Sequence, residues 1–233
     1  MTAHAHHHGP PNAPSSIAST PPATAKAPDV SSLRLLTTLA LGGAAAGLLV
    51  VAVYRATLPR IEGYEAAKVA GAVREVLKAP ARWDTLYLER GALTRNPRGQ
   101  QGKKDLPKAY VGYDASGNKL GAAVTAQEPG FQEEVLLMIG FEPSTGTLIG
   151  FKVLDEKETP GLGDKIERDR PFVSQFPGRV APLKGVKRAS TTKSEVQTIT
   201  GATISSRAVI RIINHAVEKW QPLLVAYEKR GGE

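Results

Sequence analysis

The strongest pattern along the chain is an apolar run without a polar face. Leu35 to Tyr54 reads LLTTLALGGAAAGLLVVAVY, carries no charge, and is bracketed by Arg34 and Arg55. As a helix at 1.5 Å per residue it would reach about 30 Å, the hydrocarbon thickness of a bilayer. A soluble helix of this length would show a polar face, and a cleavable signal would have a shorter apolar core nearer the N-terminus. The two arginines can reach headgroups, and Tyr54 stands where an interfacial aromatic is favoured. Gly42, Gly43, Ala44, Ala45, Ala46 and Gly47 would let another helix approach closely in lipid. The pattern predicts a transmembrane helix over 33–56. Lys26 and Arg34 precede it while Arg55, Arg60 and Lys68 follow it closely, so the positive-inside count leans against placing the C-terminal part outside.

Beyond the span the pattern changes to short periodic segments. Ala66, Val69, Ala70, Val73, Val76 and Leu77 recur at helical spacing, which predicts a helix over 61–78 that Pro80 ends. Residues 90–108 are basic, with Asp105 the one acid after Arg90, and read as a loop. AYVGYD and KLGAAVTAQ flank Ser116, Gly117 and Asn118, predicting a β-hairpin over 109–127. A second hairpin is expected from 134–141 and 147–154 around Pro143, Ser144, Thr145 and Gly146. Residues 164–176 read as a helix interrupted by Pro171. The clearest soluble helix is 204–220, with Val209, Ile210, Ile213, Ala216, Val217 and Trp220 on one face and Pro222 after it. Hairpins between helices argue for an α+β domain of about 170 residues, large enough for its own core.

Composition adds limits. The 233 residues are 41% hydrophobic and 22% charged, with a net charge of +8 and no cysteine. Disulfides, cysteine-ligated zinc, iron–sulfur clusters and thiol catalysis are therefore excluded. Residues 1–32 form a leader of Ala, Pro, Ser, Thr and His that cannot bury enough apolar surface to fold, so disorder is expected. His4, His6, His7 and His8 lie in it, and a flexible tract without supporting groups is a poor metal site. His215 sits near the middle of the last helix and reads as structural or surface.

Two clusters could carry chemistry. Just before the last helix stand Thr200, Gly201, Ala202, Thr203, Ile204, Ser205 and Ser206. A Gly–Ala step among hydroxyls leaves amides accessible, and a helix N-terminus favours an anion, so a phosphate fits; an ordinary Ser/Thr cap is the plainer alternative. Arg207 follows Ser206 in place of a Gly-Lys-Ser/Thr run, which excludes a P-loop. The second cluster is Glu158, Thr159, Pro160, Gly161, Leu162, Gly163, Asp164 and Lys165. Its glycines permit close approach of a flat ligand, and they also suit a plain strand-to-helix connection.

Taken together, Glu-Thr-Pro-Gly-Leu-Gly at 158–163 and Thr-Gly-Ala-Thr at 200–203, behind one N-terminal span, resemble the G subunit of the Rnf/Rsx ion-translocating electron-transport complex. The C subunit of the sodium-pumping NADH:quinone oxidoreductase is a relative that shares the FMN-binding domain. The resemblance covers roughly residues 35 to 225. It implies an α+β FMN-binding domain with antiparallel hairpins and a C-terminal helix, over 57–233, behind the membrane helix. It implies FMN joined through its phosphate to the Thr203 hydroxyl by a separate flavin transferase. Thr200, Gly201, Ala202, Ser205, Ser206, Glu158, Thr159, Gly161, Leu162 and Gly163 would then surround the cofactor. It further implies a single-pass subunit of the bacterial inner membrane, its C-terminal domain periplasmic, relaying electrons among other membrane subunits of a complex that couples ferredoxin/NAD electron transfer to ion translocation. The family often carries Asp three residues before the first motif hydroxyl, where this chain has Gln197.

Other classes fit less well. Ser190-Thr-Thr-Lys193 matches Ser-x-x-Lys of acyl-serine enzymes, but Lys-Thr-Gly is absent and Ser116 to Asn118 reads as a turn. Arg179, Lys184, Lys187, Arg188 and Lys193 form a basic stretch, yet aromatics are only 6% and no nucleic-acid recognition motif accompanies it, so no nucleic-acid partner is expected. No metal site and no catalytic residue of its own is assigned to the chain. A flavin-free scaffold tethered to the membrane is the remaining alternative, using the same span and glycines.

Overall fold

The computed structural model describes residues 31–97, 106–189 and 191–231. The leader over 1–30 with its histidines, Asp105 in the basic loop, and Ser190 lie outside the described residues. The chain divides into two compact units, residues 1–56 and 57–233.

Helix α1 (Ser32–Val76) begins in the first unit. Its apolar run is exposed all round, from Leu33 to Tyr54, although a helix with no polar face has no side to set against water. The hydroxyls of Thr37 and Thr38 are turned back onto the carbonyl of Arg34 at 3.1 and 2.8 Å, which satisfies them within the helix. Among the described residues, α1 is the helix long and apolar enough to cross a membrane. The sequence predicts separate helices over 33–56 and 61–78; the structure has one. Pro59 lies inside it, removing a single amide, and the strong helix formers Glu65, Ala66, Ala67 and Lys68 follow. The helix ends in left-handed backbone at Lys78 and Ala79 (φ 57° and 58°), just before Pro80.

The second unit is built on an antiparallel sheet of β1 (Arg82–Glu89), β2 (Ala92–Thr94), β3 (Lys108–Tyr113), β4 (Lys119–Pro129), β5 (Glu134–Glu142) and β6 (Thr147–Asp155), in the order β2-β1-β3-β4-β5-β6. Both predicted hairpins are present, as β3–β4 and β5–β6. Strands β1 and β2 are additions: residues 82–89 are half-buried on both faces and so lack a clean alternation, and β2 falls inside the segment expected to be a loop.

Alternate residues of the sheet feed two cores. Ala122, Val124, Leu137, Ile139, Phe141, Phe151 and Val153 face α4 (Thr203–Lys229), meeting Val209, Ile213, Ala216, Val217 and Trp220. Ala123, Met138 and Leu154 face the other way, onto Ala72, Val73, Val76 and Leu77 at the end of α1. Covering both faces explains why the central strands are apolar nearly throughout. Between β6 and α4 come the short helices α2 (Lys165–Arg168) and α3 (Arg170–Val173), then a parallel pair, β7 (Lys184–Val186) and β8 (Glu195–Gln197). The helical break expected at Pro171 falls at Asp169, whose carboxylate caps α3 by accepting from the Phe172 amide at 3.2 Å. Helix α4 runs past Pro222 instead of ending before it, because Leu224 and Tyr227 in the following turns are buried in the core. That burial offsets the one amide a proline removes.

Gly140 in β5 is where α1 meets the sheet: a Cβ there would overlap Val76 Cγ1 and lie 3.2 Å from the Val76 carbonyl. Gly150 in β6 has nothing within 4 Å of that position. Gly140→Ala should therefore lower unfolding free energy by about 1–3 kcal/mol, as overpacked cores do. Gly150→Ala should leave it near wild type, both read by urea denaturation of the purified chain.

Candidate functional site

The two predicted clusters converge where β6 runs out and α4 begins. After Asp155 the chain turns through 156–164, where the Thr159 carbonyl accepts the Leu162 and Gly163 amides at 3.1 and 3.0 Å. Gly161 sits in that turn with φ 78°, a region costly for any residue with a Cβ. Gly201 does the same before α4, with φ 84°, and delivers Ala202 as the residue at the helix cap. Ala202 has no side chain to bond the first amides, so the plain Ser/Thr cap that the sequence also allows is not present. The amides opening α4 have no side-chain cap and lie at the positive end of the helix dipole, and Thr203 is the first helical residue.

Glu158 joins the clusters. It is 5% exposed, and both carboxylate oxygens are occupied by protein donors. Oε2 accepts from the Ser205 hydroxyl at 2.6 Å, bridging the loop to the first turn of α4. Oε1 accepts from the backbone amides of Phe131 and Gln132 at 2.7 and 3.2 Å, tying in the turn between β4 and β5. Gly163 is required beside it, since a Cβ there would lie 2.6 Å from Oε2 and 2.7 Å from the Glu158 Cβ. Ser206 is committed to the motif itself: its hydroxyl donates to the Ala202 carbonyl at 2.8 Å and accepts the Ile199 amide at 3.1 Å.

These contacts enclose a cavity of about 340 Å³ lined by Phe131, Thr159, Leu162, Gly163, Gly201, Ala202, Thr203, Ile204 and Ser205. Its volume is within the range of small-molecule sites. Phe131, Leu162 and Ile204 are 59%, 48% and 56% exposed, an unusual outlay of large apolar surface at one place. The sequence clusters supply most of this lining. Phe131 and Ile204 are not among the residues expected around the cofactor. The available signal is an aromatic in the otherwise polar turn EPGFQEE, where packing within the turn gives it no role.

Other expected residues lie elsewhere. Glu158 and Ser206 stand behind the wall, and Gly161 shapes the turn. Thr200 lines a separate, polar cavity of about 500 Å³ together with Lys165, Gln175, Arg179 and Gln197. Gln197 pairs reciprocally with Gln175: its amide donates to Gln175 Oε1 at 2.8 Å, and Gln175 Nε2 donates to its carbonyl at 3.2 Å. Its own Nε2 donates to the Lys187 carbonyl at 3.4 Å, a bond a carboxylate could not make.

The chain resembles known proteins across this region. The FMN-binding domain family matches residues 130–218, which run from the Phe131 turn through both clusters into α4. The G subunit of the ion-translocating oxidoreductase complex of Methanosarcina acetivorans is 29% identical over 187 residues, 79% of this chain and 92% of its own. Its counterpart of the same name from Aliivibrio fischeri MJ11 is 30% identical over 183 residues, 77% of this chain and 85% of its own. Among solved structures, NqrC of Shewanella oneidensis superimposes with a TM-score of 0.51 over 66% of this chain and 88% of that one. At 18% identity that likeness concerns the fold.

Glu158→Leu removes the acceptor of the Phe131 and Gln132 amides and of the Ser205 hydroxyl, leaving these donors without their partner. It should lower unfolding free energy by about 1–3 kcal/mol, the cost of an unsatisfied buried group. Glu156→Gln, in the same loop but half-buried, should cost less; denaturant titration of both variants distinguishes them.

Proposed function

We propose a function from the premise that this chain belongs to the family of G subunits of ion-translocating oxidoreductase complexes: it is a membrane-anchored flavoprotein subunit that relays electrons through an FMN joined covalently to Thr203. The observation that carries the proposal is the position of Thr203, a hydroxyl on the uncapped N-terminus of α4 that opens directly onto an apolar cavity. A flavin mononucleotide has a flat apolar ring at one end and a phosphate at the other, and this site offers the complement of each. Phe131, Leu162 and Ile204 would pack against the ring and exclude water from it. The first amides of α4 and the helix dipole would hold the phosphate. Gly201 and Gly163 keep the backbone low enough for close approach. Bound FMN supplies the electron-carrying chemistry, which the chain lacks in the absence of cysteine.

Thr203 acts here as the acceptor of a phosphoester. The link leaves the ring unsubstituted, so packing and hydrogen bonding by the protein tune its potential. The tether also keeps the cofactor from diffusing away. In maturation a separate flavin transferase makes the ester with FAD as donor: the Thr203 hydroxyl oxygen takes the FMN phosphoryl group, the pyrophosphate bond of FAD breaks, and AMP leaves with the proton. Gly201 shapes the approach to Thr203, while Thr159, Ala202 and Ser205 complete the lining.

The exposed apolar part of α1 crosses the bacterial inner membrane once, and residues 57–233 form the FMN-binding domain on the periplasmic side. The cations Arg55, Arg60 and Lys68 count against that orientation, and the family resemblance counts for it. Other membrane subunits of an Rnf-type complex deliver and receive the electrons, coupling ferredoxin/NAD chemistry to ion translocation; alone, this chain completes no reaction.

The chain purified from a host containing the flavin transferase, denatured in SDS and illuminated, should fluoresce, and Thr203→Ala should abolish the signal. An unmodified intact mass for the wild-type chain from that host refutes the covalent attachment. Protease added to spheroplasts should digest residues 57–233; their protection would reverse the orientation.

A further inference from the structure

Helix α4 grips the β4–β5 connection a second time, roughly 12 Å beyond Thr203 along its axis at 1.5 Å per residue. Arg211 Nε donates to Glu128 Oε2 at 2.8 Å, and His215 Nδ1 lies 2.6 Å from Glu128 Oε1. Arg211 also donates through Nη2 to the carbonyl of Pro129. Three bonds from one helix thus converge on two consecutive residues at the end of β4, opposite Val135 and Glu134 of β5. Pro129 has no amide of its own to give to the sheet, so the grip falls where the ladder is weakest.

The next residues form the wall of the cavity. The Gly130 amide closes a tight turn onto the Glu133 carbonyl at 2.7 Å. The Phe131 and Gln132 amides then point back to Glu158, and the Phe131 side chain stands in the cavity lining. The turn is held from both sides, by Glu158 after it in the hydrogen-bond path and by Glu128 before it in the chain. An isolated surface ion pair would contribute little. Here both oxygens of Glu128 are engaged, its side chain is 23% exposed, and the arginine fork reaches backbone as well as carboxylate. Although partial burial works in the opposite direction, the hydrogen bonds and charges of Arg211 and His215 hold the Glu128 carboxyl below the usual glutamate range.

We propose that Glu128 is a positioning residue for the flavin: held by Arg211 and His215, it fixes the turn that presents Phe131, so that one helix sets both the attachment point and a wall of the ring cavity. The proposal rests on the flavin reading above. It assigns α4 the role of a ruler, with Thr203 at one mark and the Glu128 grip at the other.

The test uses the full chain in detergent, purified from a host with the flavin transferase. Flavin per chain is read after unfolding, and iodide quenching of flavin fluorescence is read in the native protein. Glu128→Gln should keep its flavin and raise the quenching constant about threefold, as a charge-assisted anchor of the shielding turn is lost. Phe131→Ala should raise it at least as much. Arg211→Lys, which keeps the charge and loses the fork, should shift it in the same direction, and it carries the test if Glu128→Gln fails to fold. Lys119→Gln removes the Lys119–Glu228 ion pair near the far end of α4 and should leave quenching unchanged. Wild-type quenching in both Glu128→Gln and Arg211→Lys overturns the proposal, as does wild-type quenching in Phe131→Ala. A wild-type chain without flavin is a different failure: it refutes the flavin reading itself, and the positioning role with it.

Discussion

Glu158 is almost fully buried, and its carboxylate holds together three segments that sequence keeps far apart: the β4–β5 turn, the loop after β6, and the first turn of α4. A charge removed from water is tolerated only when its oxygens are supplied with donors. The structure supplies two amides and a hydroxyl, and the glycine at 163 leaves room for them. The cavity exists because these three segments are fixed at one point. Phe131 comes from the first, Leu162 from the second, and Thr203 with Ile204 from the third.

The rest of the unit makes that convergence rigid. Helix α4 lies along one face of the sheet and buries an apolar stripe from Val209 to Tyr227, while the end of α1 covers the other face. With both faces occupied, the ends of β4 and β6 are held in register, and only the loops leaving them are free to form a site. The polar cavity on the Thr200 side differs in kind, with Lys165, Gln175 and Gln197 in its lining. The motif thus separates an apolar compartment from a polar one, and Thr203 faces the apolar one.

Much of this is legible in the chain. The hairpins declare themselves through alternation and turn residues, and α4 through its 3.6-residue period. The charge-free run from Leu35 to Tyr54 stands out by length alone. Where sequence reading fails, the reasons are tertiary. Residues 33–56 and 61–78 read as two helices and Pro222 as lying past the end of a third, yet α1 runs through Pro59 and α4 through Pro222. Strand β1 is half-buried on both faces, and β7 and β8 are three residues each, too short for any period to appear. The two site clusters are visible as glycine and hydroxyl patterns, but the bond between Glu158 and Ser205 is not, because no local rule connects residues 47 positions apart. Phe131 escapes notice for the same reason: its role depends on what its turn is packed against.

A crystal structure of the flavin-loaded chain tests the central claim most directly. The isoalloxazine ring should lie between Phe131, Leu162 and Ile204, with its phosphate bonded to Thr203 Oγ1 at the start of α4 and Glu158 still holding Ser205 and the Phe131 turn. A ring seated instead in the polar cavity beside Lys165 and Thr200, or a phosphate on another hydroxyl, would contradict it.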